Sequence, residues 1–286
     1  MTPVSPSGPL DLSRGLHSTV PIGPGVSMPI LGLGVWQIPD GRPTEDAVLG
    51  ALRAGYRLID TAALYGNERS VGAAMRASGL PREELFVTTK LWNDDQGYPA
   101  ALAAFERSRS ALDVAYVDLY LVHWPVRAQR EESWRALVEL HDQGKARAIG
   151  VSNFTIEHLE SLAQRSGVIP AVDQVEFSPF LFQSELLEYC RRRGIQVEAY
   201  SPLVRGRRLE HPVLAGIASA HRKSPAQVVL RWDLQHGVVP IPKSRRIERI
   251  RENADLFDFE LGPSEMTTLD HLHEGLRLAW DPSRFG

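Results

Sequence analysis

The sequence predicts a single α/β domain in which eight strand–helix units close into a (β/α)8 TIM barrel. Three observations carry that expectation. Short apolar runs alternate with segments of helical period from about residue 30 onward. The unit recurs roughly every thirty residues, and no shift of composition divides the chain. A length of 286 residues is normal for one such barrel. Parallel strands joined by helices form an open sheet or a barrel, and eight repeats in this length favour closure.

The units run in order. "PILGLGVW" precedes "PTEDAVLGALRAG", where Thr44 is expected to cap and Asp46 falls in the first turn. "YRLID" precedes "NERSVGAAMRASG", "LFVTTK" precedes "YPAALAAFERSRSAL", and "VDLYLVH" precedes "EESWRALVELHDQG". "ARAIGVS" leads to "TIEHLESLAQRSG", and "AVDQVEF" to "QSELLEYCRRRG". "IQVEAYS" is followed by "SPAQVVLRWDLQHG", in which Ser224 and Gln227 form a capping box with Pro225 at the first helical position. "VVPIPK" and "RRIERIRENADLF" complete the set. Upstream, "STVPIGPGVSMP" is expected to form a β-hairpin capping the barrel bottom, and residues 1–16 a flexible tail before a barrel domain of residues 17–286.

Totals narrow the function classes. A net charge of -3 argues against a nucleic-acid binder. No run approaches the ~20 apolar residues of a membrane span, and the first residues lack the apolar core of a signal peptide. Cys190 is the one cysteine, so no intrachain disulfide forms and a cytoplasmic location is expected. Its spacing from Leu186 and Leu187 points to inert core packing.

In a (β/α)8 barrel, chemistry assembles at the C-terminal ends of the strands. At that level stand Asp60, Lys90 and His123 on the second, third and fourth strands. Ser152 and Asn153, Gln174 and Glu176, Tyr200 and Ser201, and Lys243 and Ser244 follow on the remaining four, and Tyr65 lies in the loop after Asp60. Each alone has a bland reading, as cap, solvated charge or packed ring. Together they suit acid–base chemistry. A tyrosine with an ordinary pKa of about 10 is a poor acid near neutrality. An ammonium such as Lys90 lowers that value, and Asp60 keeps the ammonium charged and aimed. His123 is placed to hydrogen-bond a substrate oxygen. The set suits protonation of a carbonyl oxygen while a second agent attacks the carbon.

These residues resemble a known family. "GLGVWQ", "RLIDTAALYGNE", "VTTKLW", "DLYLVHWP", "IGVSNF", "VDQVEFSP", "AYSPL" and "IPKSRRIERIREN" stand in the order of the aldo-keto reductases, over residues 18–286. The resemblance implies an NADPH-dependent reductase of aldehydes and ketones, with a catalytic tetrad of Asp60, Tyr65, Lys90 and His123 and with Tyr65 as the acid. It also implies cofactor contacts. Ser152, Asn153 and Gln174 would hold the nicotinamide carboxamide, and Tyr200 would stack on the ring. Lys243, Ser244 and Arg249 would grip the 2'-phosphate, with Glu252 and Asn253 near adenine. Gly34, Val35, Trp36, Asp60, Ser201 and Leu203 complete the implied cofactor set. Trp36, Trp92, His123 and Trp124 would line a substrate pocket for a small carbonyl compound. No metal is implied, and a monomer is expected.

Departures matter too. Gln37 takes the place of the third glycine of a Rossmann fingerprint, so that motif is absent. Ser178 stands where the family often has histidine. The short C-terminal tail, "LAWDPSRFG", is expected to leave the pocket open. Two rival readings are a catalytically idle NADPH-binding module of the same fold, and a barrel hydrolase or isomerase acting on phosphorylated sugars.

Overall fold

The computed structural model describes residues 10–285. An antiparallel hairpin comes first, β1 (Thr19–Gly23) with β2 (Val26–Pro29). The Arg147 guanidinium, at the start of a later strand, donates to the Gly25 carbonyl at 3.2 Å, which pins the hairpin tip to the N-terminal end of the barrel.

Eight parallel strands then alternate with helices. They are β3 (Gly32–Gly34), α1 (Arg42–Arg53), β4 (Leu58–Asp60), α2 (Glu68–Ala77), β5 (Phe86–Leu91) and α3 (Tyr98–Leu112). Next come β6 (Val117–Val122), α4 (Arg130–Asp142), β7 (Ala146–Ser152), α5 (Ile156–Ser166), β8 (Val172–Glu176) and α6 (Ser184–Arg193). β9 (Gln196–Tyr200) is followed by α7 (Pro212–His221) and α8 (Pro225–Gln235), and β10 (Val239–Pro240) by α9 (Ile247–Ala254) and α10 (Pro263–Asp270). Neighbours in sequence are neighbours in the sheet from β3 to β10. The expected fold class is borne out.

Closure needs small residues at the seam. Gly34 donates its N–H to the Pro242 carbonyl at 3.3 Å and forms a parallel bridge with Lys243. A Cβ on Gly34 would lie 2.9 Å from the Ile241 carbonyl oxygen, and one on Gly32 would lie 2.9 Å from the Ile241 side chain. Glycine is therefore a packing requirement there, because the two edge strands approach too closely for a side chain. Strands such as β5 and β6 are buried along their whole length, as a barrel enclosed by helices demands.

Several local expectations meet the coordinates. The Ser224–Gln227 capping box is present, with Pro225 opening α8. Thr44 does not cap α1: Gly41 does, and the Thr44 hydroxyl, one turn inside, donates to the Pro39 carbonyl at 2.7 Å. Pro43 near the helix start lets α1 begin earlier than the Thr44 signal indicated. Helices α7 and α10 were not anticipated. Cys190 is fully buried, and burial pushes its thiol up, consistent with inert packing. Residues 1–9 of the expected tail lie outside the described residues, while Leu10, Leu12 and Leu16 pack against the core.

Candidate active site

The C-terminal ends of the strands open into a cleft of about 920 Å³. Its floor is an ion pair. Lys90 on β5 is fully buried, and its ammonium donates to Asp60 Oδ1 at 2.7 Å and Oδ2 at 2.8 Å, and to the Thr61 carbonyl at 2.9 Å. It also reaches the Tyr65 hydroxyl at 3.4 Å. Burial pulls the Lys90 ammonium down, but Asp60 and Tyr65 more than offset this, so its pKa is raised and it stays charged. Asp60 ends β4 opposite Thr88 of β5, and Lys90 lies two residues farther along β5 on the same face, within reach of the carboxylate.

Tyr65 follows in a short 3-10 turn, Ala63–Tyr65, and is half-buried. Its pKa is pushed up to about 12, first by burial; Lys90 lowers it, and Asp60 raises it again. The depression expected from Lys90 alone is thus present as a contribution but outweighed, because the phenol sits in a low-dielectric recess beside a carboxylate as well as an ammonium. His123 lies just past β6, with its ring edge-on to Tyr65 at 5.9 Å between centroids and to Trp92 at 5.1 Å. Burial, then Lys90, hold His123 well below the ordinary imidazole value, so it is neutral. Asp60, Tyr65, Lys90 and His123 therefore meet at one point.

The remaining rim is held by interlocking hydrogen bonds. Gln174 Nε2 donates to Asp60 Oδ2 at 2.8 Å and to Glu198 Oε2 at 2.6 Å. Asn153 Nδ2 donates to the His123 carbonyl at 3.0 Å, and its Oδ1 accepts from the Tyr200 hydroxyl at 2.8 Å. The Ser152 hydroxyl donates to the Gln174 carbonyl at 2.7 Å. Backbone strain concentrates here: Gln37, Asn153, Ser201, Val204 and Arg205 all have φ between 50° and 64°. Non-glycine residues in that region cost about 1–3 kcal/mol each and cluster at functional sites.

One end of the cleft is cationic. Lys243, Ser244, Arg249, Glu252 and Asn253 line it, together with Ser201 and Leu203. Lys243 and Arg249 take part in no ion pair among the described residues. Burial and the neighbouring Arg245 lower the Lys243 pKa, the sign of cations gathered without a counter-charge. Gly34, beside Lys243 at the seam, lines the cleft as well, as do Trp36, Trp92 and Trp124. Val35 does not reach the cleft: it is buried, with its N–H on the Asp60 carbonyl at 3.1 Å.

The model of the Aldo/keto reductase family matches residues 30–274. The chain belongs to this family. It is 52% identical over 271 residues to a glyoxal reductase of Bacillus subtilis (strain 168), covering 95% of this chain and 98% of that one. The crystal structure of an aldo/keto reductase from Brucella melitensis superposes with a TM-score of 0.86 at 46% identity, covering 89% of this chain and 98% of that chain. A variant of the protein Gox0644, solved in complex with NADPH, gives 0.85 at 43% identity, covering 90% and 94%. As a member of the aldo/keto reductase family, the chain is an oxidoreductase.

Some lining residues escaped the sequence reading. The segment Leu278–Trp280 forms one wall, where the expectation was an open side. Glu176 at the end of β8 accepts from the Leu278 and Ala279 N–H groups at 2.7 and 3.0 Å, which draws that segment over the mouth. Trp280 then stands 5.3 Å from Trp124 and 6.3 Å from Trp92, ring to ring. Arg205 lies over the Trp36 ring at 4.7 Å. Ser178 is buried in a turn bridging to Leu181 and does not line the cleft. No helix among the described residues is long and apolar enough to cross a membrane.

Proposed function

We propose that this protein reduces aldehydes or ketones to alcohols with NADPH, and that Tyr65 supplies the proton. The observation carrying this reading is the bonded chain from Asp60 through Lys90 to Tyr65 at the floor of a cleft with an unpaired cationic end. When bound, NADPH supplies hydride to the carbonyl carbon.

The cleft fits that cofactor along its length. Lys243 and Arg249 provide charge for the 2'-phosphate and Ser244 a hydroxyl beside them. Glu252 and Asn253 lie next to them for adenine. Both amide hydrogens of Gln174 are committed to carboxyl groups, so its carbonyl oxygen is the atom left to accept from the nicotinamide carboxamide. Ser152 and Asn153 flank it, and the Tyr200 ring, anchored through its hydroxyl on Asn153, offers a face for stacking. The family relative solved with NADPH supports the choice of cofactor.

The chain's own groups manage the proton. At about 12, Tyr65 remains protonated at neutral pH, as a donor must. As negative charge grows on the substrate oxygen, the proton passes to it from Tyr65, and Lys90 stabilises the phenolate left behind. His123, neutral, has one N–H to donate to the same oxygen. Trp36, Trp92, Trp124 and Trp280 give the cleft an aromatic lining that favours apolar or aromatic carbonyl compounds. Tyr65→Phe is the test: turnover should fall by at least about a hundredfold while NADPH binding, read by fluorescence titration, is retained. Unchanged turnover removes Tyr65 from its role.

A further inference from the structure

Beneath Gln174 the barrel holds a carboxyl group that the reaction above does not use. Glu198 is fully buried in the middle of β9, opposite Gln174 of β8 and Val239 of β10. A glutamate in a dry strand interior needs a partner for each oxygen. Oε2 has Gln174 at 2.6 Å, but Oε1 has none among the described residues.

The charges around it make the point sharper. Facing Glu198 are Asp60 from β4 and Lys90 from β5; β8 presents the neutral Gln174, β10 the apolar Val239, and Tyr65 stands beyond Lys90. Two carboxylates would share a single ammonium, and that ammonium is already bonded to both oxygens of Asp60. Buried like charges of this kind do not both ionise. A proton on one carboxyl restores neutrality, and Glu198, with its unbonded oxygen, is the group without a cation.

Resting on the proton-transfer reading, we propose that Glu198 is a positioning residue that carries a proton at neutral pH. As a neutral acid it lets Gln174 hold Asp60 against Lys90, and on losing its proton it makes Tyr65 a weaker acid. Its pKa agrees, raised to about 8 by burial first and then by the Asp60 charge. The sign for catalysis follows. Ionised Glu198 raises the proton affinity of Tyr65, so donation, and with it carbonyl reduction, declines as pH rises through about 8.

The test compares the wild-type chain with Glu198→Gln, which keeps the shape and an oxygen to accept from Gln174 but cannot ionise. Turnover with NADPH and an aldehyde is followed across the range about pH 6 to 10, wide enough to bracket both limbs of an acid–base profile. The alkaline decline of the wild type should vanish in the variant or move up by at least about one unit, the size of shift a nearby charge imposes. Infrared difference spectra provide a readout that needs no turnover. Burial also raises Asp173 and Asp233, so the band is read as the wild type minus the variant: at neutral pH that difference should contain a carboxylic-acid band, and at alkaline pH it should not. Superimposable pH profiles, or a neutral-pH difference spectrum without that band, overturn the proposal; Glu198→Met, equally unable to ionise, gives the same comparison if Glu198→Gln does not fold. A Tyr65→Phe protein that kept full activity would instead strike the reading of the reaction, leaving the infrared result about Glu198 intact.

Discussion

Replacing Lys90 by methionine removes one charge while keeping most of the buried stem. In the native protein that ammonium has no exposed surface and bonds Asp60 twice, at 2.7 and 2.8 Å, besides the Thr61 carbonyl and the Tyr65 hydroxyl. Taking away one partner of a buried pair leaves the other uncompensated, at about 3–5 kcal/mol. That is a large share of the ~5–15 kcal/mol that holds a domain together. Tyr65 also loses the cation that lowers its pKa, leaving burial and Asp60 to push it further up. General-acid catalysis contributes about 10²–10⁴ in rate, so turnover should fall by at least about a hundredfold. Adding Asp60→Asn to Lys90→Met removes the stranded charge. The double variant should regain at least about 1 kcal/mol over the single, within the range of contact couplings, yet remain inactive. Urea melts measure stability, NADPH absorbance follows turnover, and NADPH fluorescence checks binding. A folded Lys90→Met protein with near-native turnover, or a double variant no more stable than the single, would refute the reasoning.

Two further outcomes test the rest of the structure. Lys243→Met should raise the KM for NADPH by about 10–100-fold, the worth of a charged hydrogen bond, and change that for NADH little; equal losses with both cofactors would place Lys243 elsewhere. Gly34→Ala forces a Cβ against the Ile241 carbonyl at the barrel seam and should destabilise by about 1–3 kcal/mol, seen as a lowered Tm.

The eight units were legible because each strand is a short apolar run, and polar groups stand at or just past the ends of β4, β5 and β6, as Asp60, Lys90 and His123 do. The depth of Tyr65 was not legible: its pKa reflects burial by residues far apart in sequence, which outweighs the neighbouring ammonium. Thr44 misled because an equally local signal, Gly41 followed by Pro43, begins the helix earlier. Glu198 left one overlooked trace, an acidic residue between Val197 and Ala199 in the middle of a predicted strand. Trp280 left none. Its position depends on the two backbone hydrogen bonds to Glu176, about a hundred residues away.

That tether separates two tasks along the chain. The proposed proton donor and its ion pair come from residues 60–123, whereas the segment 278–280 walls the entrance, its backbone bonded to the Glu176 carboxylate. One wall of the entrance is therefore encoded apart from the groups beneath it, while Trp92 sits among them. Rewriting the last turn of the chain would change which guests are admitted without disturbing the engine beneath, a division of labour open to natural drift and protein engineers alike.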